Sequence, residues 1–268
     1  LPHLDYNLQR LGPESGAIVT DLREIDDIVG ELLEFYEQNG VQVVLLSEYG
    51  ITEVKNAIHL NRLFRKQGWL TVKEDLGLEL LDAGASRAFA VADHQVAHVY
   101  LNRNEDDSFH AEVQKYLEET EGVQSVFDAA AKMKQGVDHG RSGDLIAVAN
   151  ENAWFTYYYW LDDSRAPDFA RTVDIHRKPG FDPAELFIDP QISFPKLRIA
   201  CRLLQKKLGL RMLMDVIPLD ASLVKGSHGC RPSSHSDWPV CIGLDENLFQ
   251  GEVLKSTDIH NVILHAVG

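Results

Sequence analysis

Three short segments carry side chains whose type and spacing could bind a cation. The first holds Asp5 and Gln9, which are four residues apart and share a face if the segment is helical. Both side chains offer oxygen ligands to a hard or borderline cation. An N-cap at Asp5 with a solvated Gln9 is the alternative interpretation of the same spacing.

The second segment, Glu48-Tyr49, follows a nearly continuous apolar run from Val41 to Leu46. Such a run predicts a strand buried on both faces, as in a parallel sheet under helices. Ligands of open α/β sheets bind at the carboxyl ends of strands. Glu48 and Tyr49 are therefore candidates for binding a metal or polarising a substrate, and a solvated turn at the strand end is the alternative.

The third segment is Lys225-Gly226-Ser227-His228-Gly229. A histidine between glycines lies on backbone that can make tight turns and close approaches. Its imidazole is a standard metal ligand or proton shuttle. A turn histidine without a ligand is the alternative interpretation of His228.

Asp93-His94 with His98 also has metal-like spacing. These residues accompany a strand-like run, in which residues four apart share a face only through strand alternation. We expect structural or surface roles for them.

The elements that must position these side chains follow an α/β order. Apolar residues recur at helical spacing over residues 16–39, and Asn39-Gly40 is a good helix stop. The buried strand follows, and a second amphipathic helix is predicted over residues 194–208. This order predicts an α/β fold with a mostly parallel central sheet and helices on both faces.

Composition excludes several classes of partner. The chain has 268 residues, is 44% apolar and carries a formal net charge of −15, with no basic block to bind a nucleic-acid backbone. The three cysteines form no CxxC pair, so neither a disulfide framework nor a thiolate zinc site is indicated, and a reducing, cytoplasmic location is expected. No apolar stretch has the length of a membrane span, so we expect no membrane partner.

The segments resemble one family in their order along essentially the whole chain. Residues 1–13, Ser47-Glu48-Tyr49-Gly50, Val173 to Pro183 and Gly226-Ser227-His228-Gly229 are similar to the type I phosphodiesterase/nucleotide pyrophosphatase branch of the alkaline phosphatase superfamily. The resemblance implies an alkaline-phosphatase-like fold. It also implies a metal-dependent hydrolase of phosphodiester, pyrophosphate or related phosphoester bonds, with a small anionic substrate.

In that family two divalent metals, commonly zinc, flank a Thr or Ser nucleophile. By resemblance, Asp5, Gln9 and His228 match ligands of one metal, and Glu48 and Tyr49 match a ligand pair of the other. Gln9 and Tyr49 stand where the family has His, and Glu48 where it has Asp. Fewer imidazoles and more oxygens shift the expected preference from zinc toward magnesium or manganese.

The resemblance also places the nucleophile and an early Asp before Leu1. We therefore expect a carboxyl-terminal fragment whose partner is the missing amino-terminal segment of the same protein. Residues 1–74 and 168–268 are predicted to belong to the core domain, and residues 75–167 to a cap-like insertion. A catalytically silent binding module on the same fold and a phosphomutase relative are the alternative functions.

Overall fold

The fold is known from a computed structural model that describes residues 3–243, 249, 251 and 253–267. The α-helices of this part of the chain are α1 (His3–Leu11), α2 (Ile18–Gln38), α3 (Leu60–Lys66), α4 (Asp107–Glu118), α5 (Ala129–Gln135), α6 (Pro195–Lys207) and α7 (Ile259–Val267). The strands are β1 (Val44–Leu46), β2 (Thr52–Glu53), β3 (Asn56–Ile58), β4 (Val72–Asp75), β5 (Leu78–Leu81), β6 (Ala88–Asp93), β7 (Val96–Leu101), β8 (Val123–Phe127), β9 (Leu145–Ala149), β10 (Ala153–Phe155), β11 (Gly226–Ser227) and β12 (Cys241–Gly243).

The largest sheet of the described residues is antiparallel. It has four strands in the order β6-β7-β9-β8. β6 and β7 are joined by a two-residue turn, and such a short connection can join strands only in antiparallel pairing. β3 and β10 pair in parallel in a separate small sheet. The α/β class is confirmed, but the mostly parallel central sheet that the sequence predicted is not seen in the described part of the chain.

The hydrophobic core lies between this sheet, helices α3 and α4, and a buried aromatic run at residues 154–160. Trp69 contacts Phe64, Phe109 and Tyr116 with its ring and joins the two helices. The predicted insertion, residues 75–167, thus contributes its sheet to the same core as residues 54–70. The division into a core domain and an insertion stays a prediction.

Helix α2 forms where the apolar periodicity predicts it, and α6 begins with Pro195 at its first position. Strand β1 also forms, and it pairs antiparallel with β12. Its residues are half-buried or exposed, so the predicted burial on both faces is wrong. Among the described residues β1 pairs only with β12, whereas the prediction assumed a larger sheet covered by helices on both faces.

In the described part of the chain, every helix is too short or too polar to cross a lipid bilayer.

Candidate functional site

Helix α1 places Asp5 and Gln9 one turn apart on the same face. The Gln9 side chain is buried, and its Nε2 donates a hydrogen bond to Asp5 Oδ1 at 3.0 Å. At the end of the helix, the Lys225 N–H donates to the Gln9 carbonyl at 2.8 Å. The two ligand candidates on α1 are therefore fixed to the segment that carries His228.

Gly226 allows this approach. A Cβ at this position would lie 2.3 Å from the Leu8 carbonyl oxygen, which is far inside van der Waals contact. β11 also pairs with β2 through Gly226 and Glu53. Helix α1, β11 and β2 thus form one unit, and His228 follows directly after β11.

Tyr49 contacts two segments that are far apart in sequence, one with Asp5 and the other with His228. Its hydroxyl donates a hydrogen bond to Asp5 Oδ1 at 3.2 Å. Its ring lies flat against the imidazole of His228, with centroids 3.7 Å apart and an interplanar angle of 8°. Burial, together with the charge and hydrogen bond of Asp5, raises the pKa of Tyr49 to about 12. Tyr49 is therefore a neutral phenol that holds Asp5.

His228 is a neutral imidazole at physiological pH. Burial and the nearby His94 lower the pKa of His228 to about 4, against the opposing charges of Asp5 and Asp93. A neutral imidazole has one lone pair available for a cation or for a donated hydrogen bond.

The stack continues beyond His228 to residues that the sequence pattern did not select. The His94 ring lies 3.8 Å from that of His228 at an angle of 31°, and Phe181 stacks on His94 at 4.3 Å. We call the four rings of Tyr49, His228, His94 and Phe181 the ring column. The expected structural or surface role of His94 thus omitted its contact with a predicted ligand.

His94 and its neighbour Gln95 form the tip of the β6–β7 hairpin. The Gln95 N–H donates to the His228 carbonyl at 2.9 Å, and Gln95 Oε1 accepts from the Cys230 N–H at 3.2 Å. His94 Nδ1 is 2.7 Å from Asp93 Oδ1, and this hydrogen bond lowers the pKa of Asp93. The signal in the sequence was the Asp-His pair itself, but its contact with His228 depends on the tertiary fold.

Glu48 lies outside the ring column. It is exposed, and its charge contributes to the raised pKa of Tyr49. The following Gly50 packs so closely on the Asp237 carbonyl that a Cβ would lie 1.8 Å from that oxygen. The structure therefore brings together Asp5, Gln9, Tyr49 and His228, and it leaves Glu48 at the solvent-facing edge.

Three buried polar atoms at this place have no hydrogen-bond partner among the described residues: Gln9 Oε1, His94 Nε2 and His228 Nε2. Buried polar atoms are almost always hydrogen-bonded, so orphans gathered at one site point to a missing partner. An amide oxygen and imidazole nitrogens, beside the Asp5 carboxylate, are suitable donors for a divalent cation. Among the described residues, however, no three His, Cys, Asp or Glu side chains are arranged around one metal position. The donors fit a cation in kind, and the set is incomplete in number.

Two solved structures are similar to part of this chain. The chain resembles the crystal structure of phosphonoacetate hydrolase from Sinorhizobium meliloti 1021 with phosphonoformate, at 17% identity and a TM-score of 0.41, over 60% of this chain and 38% of that one. It also resembles murine ectonucleotide pyrophosphatase/phosphodiesterase 5 in an inactive form with AMP, at 16% identity and a TM-score of 0.40, over 56% of this chain and 36% of that one. The chain therefore spans less than two fifths of either structure.

No curated protein matches the chain. A family model described as type I phosphodiesterase / nucleotide pyrophosphatase matches residues 1–182, which include α1, Glu48 and Tyr49 and the β6–β7 hairpin. This match covers more than half of the sequence. The chain belongs to the type I phosphodiesterase/nucleotide pyrophosphatase family.

Proposed function

We propose that this chain is part of a divalent-metal-dependent hydrolase that acts on phosphodiester, pyrophosphate or related bonds of a small anionic substrate. Its family is one of phosphoester hydrolases. The observation that carries the proposal is the meeting of Asp5 and His228 at Tyr49, one through a hydrogen bond and the other through a ring stack. Two donors from opposite ends of the chain are thereby brought to one place.

In this proposal Asp5, Gln9 and His228 hold one cation, and Glu48 and Tyr49 occupy the positions that the family uses for the second. When bound, a divalent cation would offset negative charge on the phosphoryl oxygens and activate a nucleophile. Tyr49 is a weak candidate ligand because it is a neutral phenol that already donates to Asp5. Zinc favours the imidazole, whereas magnesium or manganese favours the oxygens of Asp5, Gln9 and Glu48.

The residues of this chain have distinct tasks in the proposed site. Tyr49 and Gln9 both donate to Asp5 Oδ1 and so fix the direction of the carboxylate. The low pKa of His228 keeps its lone pair free of a proton at neutral pH. The direction of the Asp5 carboxylate and the lone pair of His228 are thus both set in the ligand-free structure.

The nucleophile is proposed to come from an amino-terminal segment outside these 268 residues, and that segment is the expected partner of this chain. Ser227 carries the hydroxyl next to His228 in sequence, but Ser227 is fully buried and cannot reach a substrate. The Thr52 hydroxyl is also buried, and it donates to the Glu151 carbonyl at 2.9 Å. The predicted cytoplasmic location stays a prediction.

A catalytically silent binding module is the second candidate function. It is favoured by the two neutral side chains, Gln9 and Tyr49, that stand where the family has imidazoles. Such a module would keep the fold and bind an anionic ligand or a cation without turnover.

Turnover of bis(4-nitrophenyl) phosphate by the intact protein, with added Zn²⁺ or Mn²⁺, tests the proposal. We expect His228→Ala to lower kcat/KM at least about 100-fold. Removing the hydrogen-bond partner of a metal ligand typically lowers activity by about 10- to 100-fold, and removing the ligand itself should lower it more. The matched control is His139→Ala, which changes an exposed histidine in the connection between α5 and β9. Equal turnover by His228→Ala and the wild type would overturn the assignment. Binding of a cation without turnover by the wild type would support the silent module.

A further inference from the structure

Helices α2 and α6 each leave an apolar stripe exposed. The large apolar side chains of the two stripes are between 41% and 63% exposed. Amphipathic helices normally bury such a stripe against another element, and extended apolar patches on a surface mark interaction sites. Each stripe has three residues at the spacing i, i+4, i+7, which share one face of a helix: Ile28, Leu32 and Phe35 on α2, and Leu197, Cys201 and Leu204 on α6.

The two helices make few contacts within one copy of the chain. Among the described residues, α1 is the only other element on which α2 packs extensively, and α2 buries only Ile18. Helix α6 has no fully buried residue, and its Ile199 packs on a small apolar cluster of Ala184, Val216 and Ile217. In the described part of the chain, α2 and α6 make no extensive contact with each other. Both stripes are therefore open to a further surface.

The polar faces of the two helices carry opposite charge. Helix α2 contains seven acidic residues and a single arginine. Helix α6 contains five basic residues and no acidic one, in a chain whose formal net charge is −15. A partner with charge of only one sign would attract one of these helices and repel the other. The surface that complements both must itself offer a basic and an acidic helix, as this chain does.

We infer that the partner of these faces is a second copy of the same chain. In a dimer with twofold symmetry, α2 of one protomer packs on α6 of its partner, and the reverse contact forms at the same time. Each protomer then covers both stripes and brings opposite charges together at both contacts. This inference goes beyond the proposed function and does not depend on it.

The charges beside the stripes indicate that the facing helices are antiparallel. Successive helix residues are about 100° apart, so Asp27 and Glu31 lie to one side of the α2 stripe and Lys196 and Lys207 lie to the same side of the α6 stripe. All four residues are exposed. In an antiparallel pair of helices these like-handed sides meet, whereas in a parallel pair opposite sides meet. Antiparallel packing therefore places the acids against the lysines.

Charge reversal tests the inference. Asp27→Lys/Glu31→Lys makes this side of α2 basic, and Lys196→Glu/Lys207→Glu makes the matching side of α6 acidic. In either variant alone, like charges face each other, so we expect the Kd of the dimer to rise at least about 10-fold. Sedimentation equilibrium of the 268-residue chain measures this Kd, and the wild type should reach twice the mass of one chain, 30.1 kDa.

Mixing the two variants should restore the dimer. The basic α2 of the first variant then meets the acidic α6 of the second, and the unaltered α6 and α2 still complement each other. The Kd of the equimolar mixture should return toward that of the wild type, which would also show that both variants are folded. The matched control is Glu118→Lys/Asp138→Lys, which reverses two exposed acids on α4 and after α5 and should leave the Kd unchanged.

Each alternative outcome has a definite meaning. A wild-type chain that sediments as a monomer overturns the inference, whatever other surface covers the stripes, the amino-terminal segment included. A dimer that tolerates both charge reversals is formed by other surfaces and overturns it as well. If the dimer is lost in both variants and mixing does not restore it, α2 and α6 do not face each other, and the inference is wrong.

Discussion

The Tyr49 hydroxyl donates a hydrogen bond to Asp5 across 44 positions of sequence. The same side chain stacks on His228, so one residue fixes a carboxylate and an imidazole from distant segments. Its two functions can be separated by mutation, because the hydroxyl makes the first contact and the ring makes the second.

Tyr49→Phe should lower the free energy of unfolding by about 1 kcal/mol, the typical value of one lost hydrogen bond. Tyr49→Leu should cost about 0.5–1.5 kcal/mol more, because it also removes the aromatic stack on His228. Urea unfolding of both variants measures the difference. Equal stabilities of the Phe and Leu proteins would show that the stack contributes nothing.

Gln95 should be among the polar residues whose replacement lowers the free energy of unfolding most. Its Nε2 lies within hydrogen-bond distance of Thr52 Oγ1, the Glu151 carbonyl and the Ala153 carbonyl, at 3.1–3.2 Å, and its Oε1 accepts from Cys230. Gln95→Ala leaves these buried groups unpaired, so we expect a loss of about 2–4 kcal/mol in urea unfolding.

The matched control for this variant is Gln67→Ala, which removes an exposed hydrogen bond to the Tyr116 hydroxyl at 3.4 Å. Its stability should stay within about 0.5 kcal/mol of the wild type. A similar loss in both variants would mean that the hairpin tip is not held by Gln95.

Local patterns in the sequence predicted local structure well. The helix over residues 16–39 was predicted from its apolar spacing, and α2 forms at Ile18–Gln38. The spacing of Asp5 and Gln9 indicated a shared face only if their segment is helical; residues 1–13 were expected to be a loop, but helix α1 forms there and the two side chains bond to each other. Both relationships are set by the geometry of one helix and need no knowledge of distant residues.

The features that the sequence did not predict depend on distant contacts. The apolar run at β1 does not say whether another layer covers it, so its burial was predicted wrongly. The left-handed backbone of His94 has no marker because the usual glycine is absent from the turn. The ring column likewise joins segments from four parts of the chain, and no spacing within one segment shows it.

Gly226 should not tolerate a side chain, because α1 packs directly on its backbone. Gly226→Ala places a Cβ 2.3 Å from the Leu8 carbonyl oxygen and 2.8 Å from Ile51 Cγ2, so α1 or β11 must move. We expect the free energy of unfolding, measured by heat or urea, to fall by about 1–3 kcal/mol, as at other overpacked positions.

Gly30→Ala is the matched control with the opposite expected sign. Gly30 lies within α2, and a Cβ there would have no neighbour within 4 Å among the described residues. Alanine should stabilise the helix by about 0.5–1 kcal/mol. If both glycine variants are equally stable, the close contact between α1 and β11 is not present in solution.

Lys178 should be among the charged residues whose loss lowers the free energy of unfolding most. Its ammonium is completely buried and lies 2.9 Å from Asp182 Oδ2 and 2.5 Å from Glu185 Oε1. Lys178→Met leaves two carboxylates without their cation, so we expect the free energy of unfolding to fall by about 3–5 kcal/mol. The matched control is Lys115→Met, which removes an exposed pair with Glu119 at 3.8 Å and should cost less than about 0.5 kcal/mol. A small effect of Lys178→Met in urea unfolding would contradict the buried ion pair.

Asp215 gives a prediction for acid stability. Burial opposes its ionisation, but hydrogen bonds from Arg202 and Arg198 of α6 outweigh this effect and lower the pKa of Asp215 to about 2. In the unfolded chain an Asp has a pKa of about 3.9, so the folded state favours the carboxylate. The stabilisation is therefore fully present above about pH 4 and is lost as the pH falls toward 2.

Asp215→Asn should accordingly be less stable than the wild type by roughly 1–2 kcal/mol at pH 7, a value reduced for the partial exposure of the two arginines. The difference between the two proteins should fall to about half by pH 3, because the carboxylate of the wild type gains a proton on unfolding there. Urea unfolding of both proteins at a series of pH values between 7 and 3 measures this difference, and the titration of the other carboxylates cancels in it. A difference that stays constant over this range would show that Asp215 is not held as an ion pair on α6.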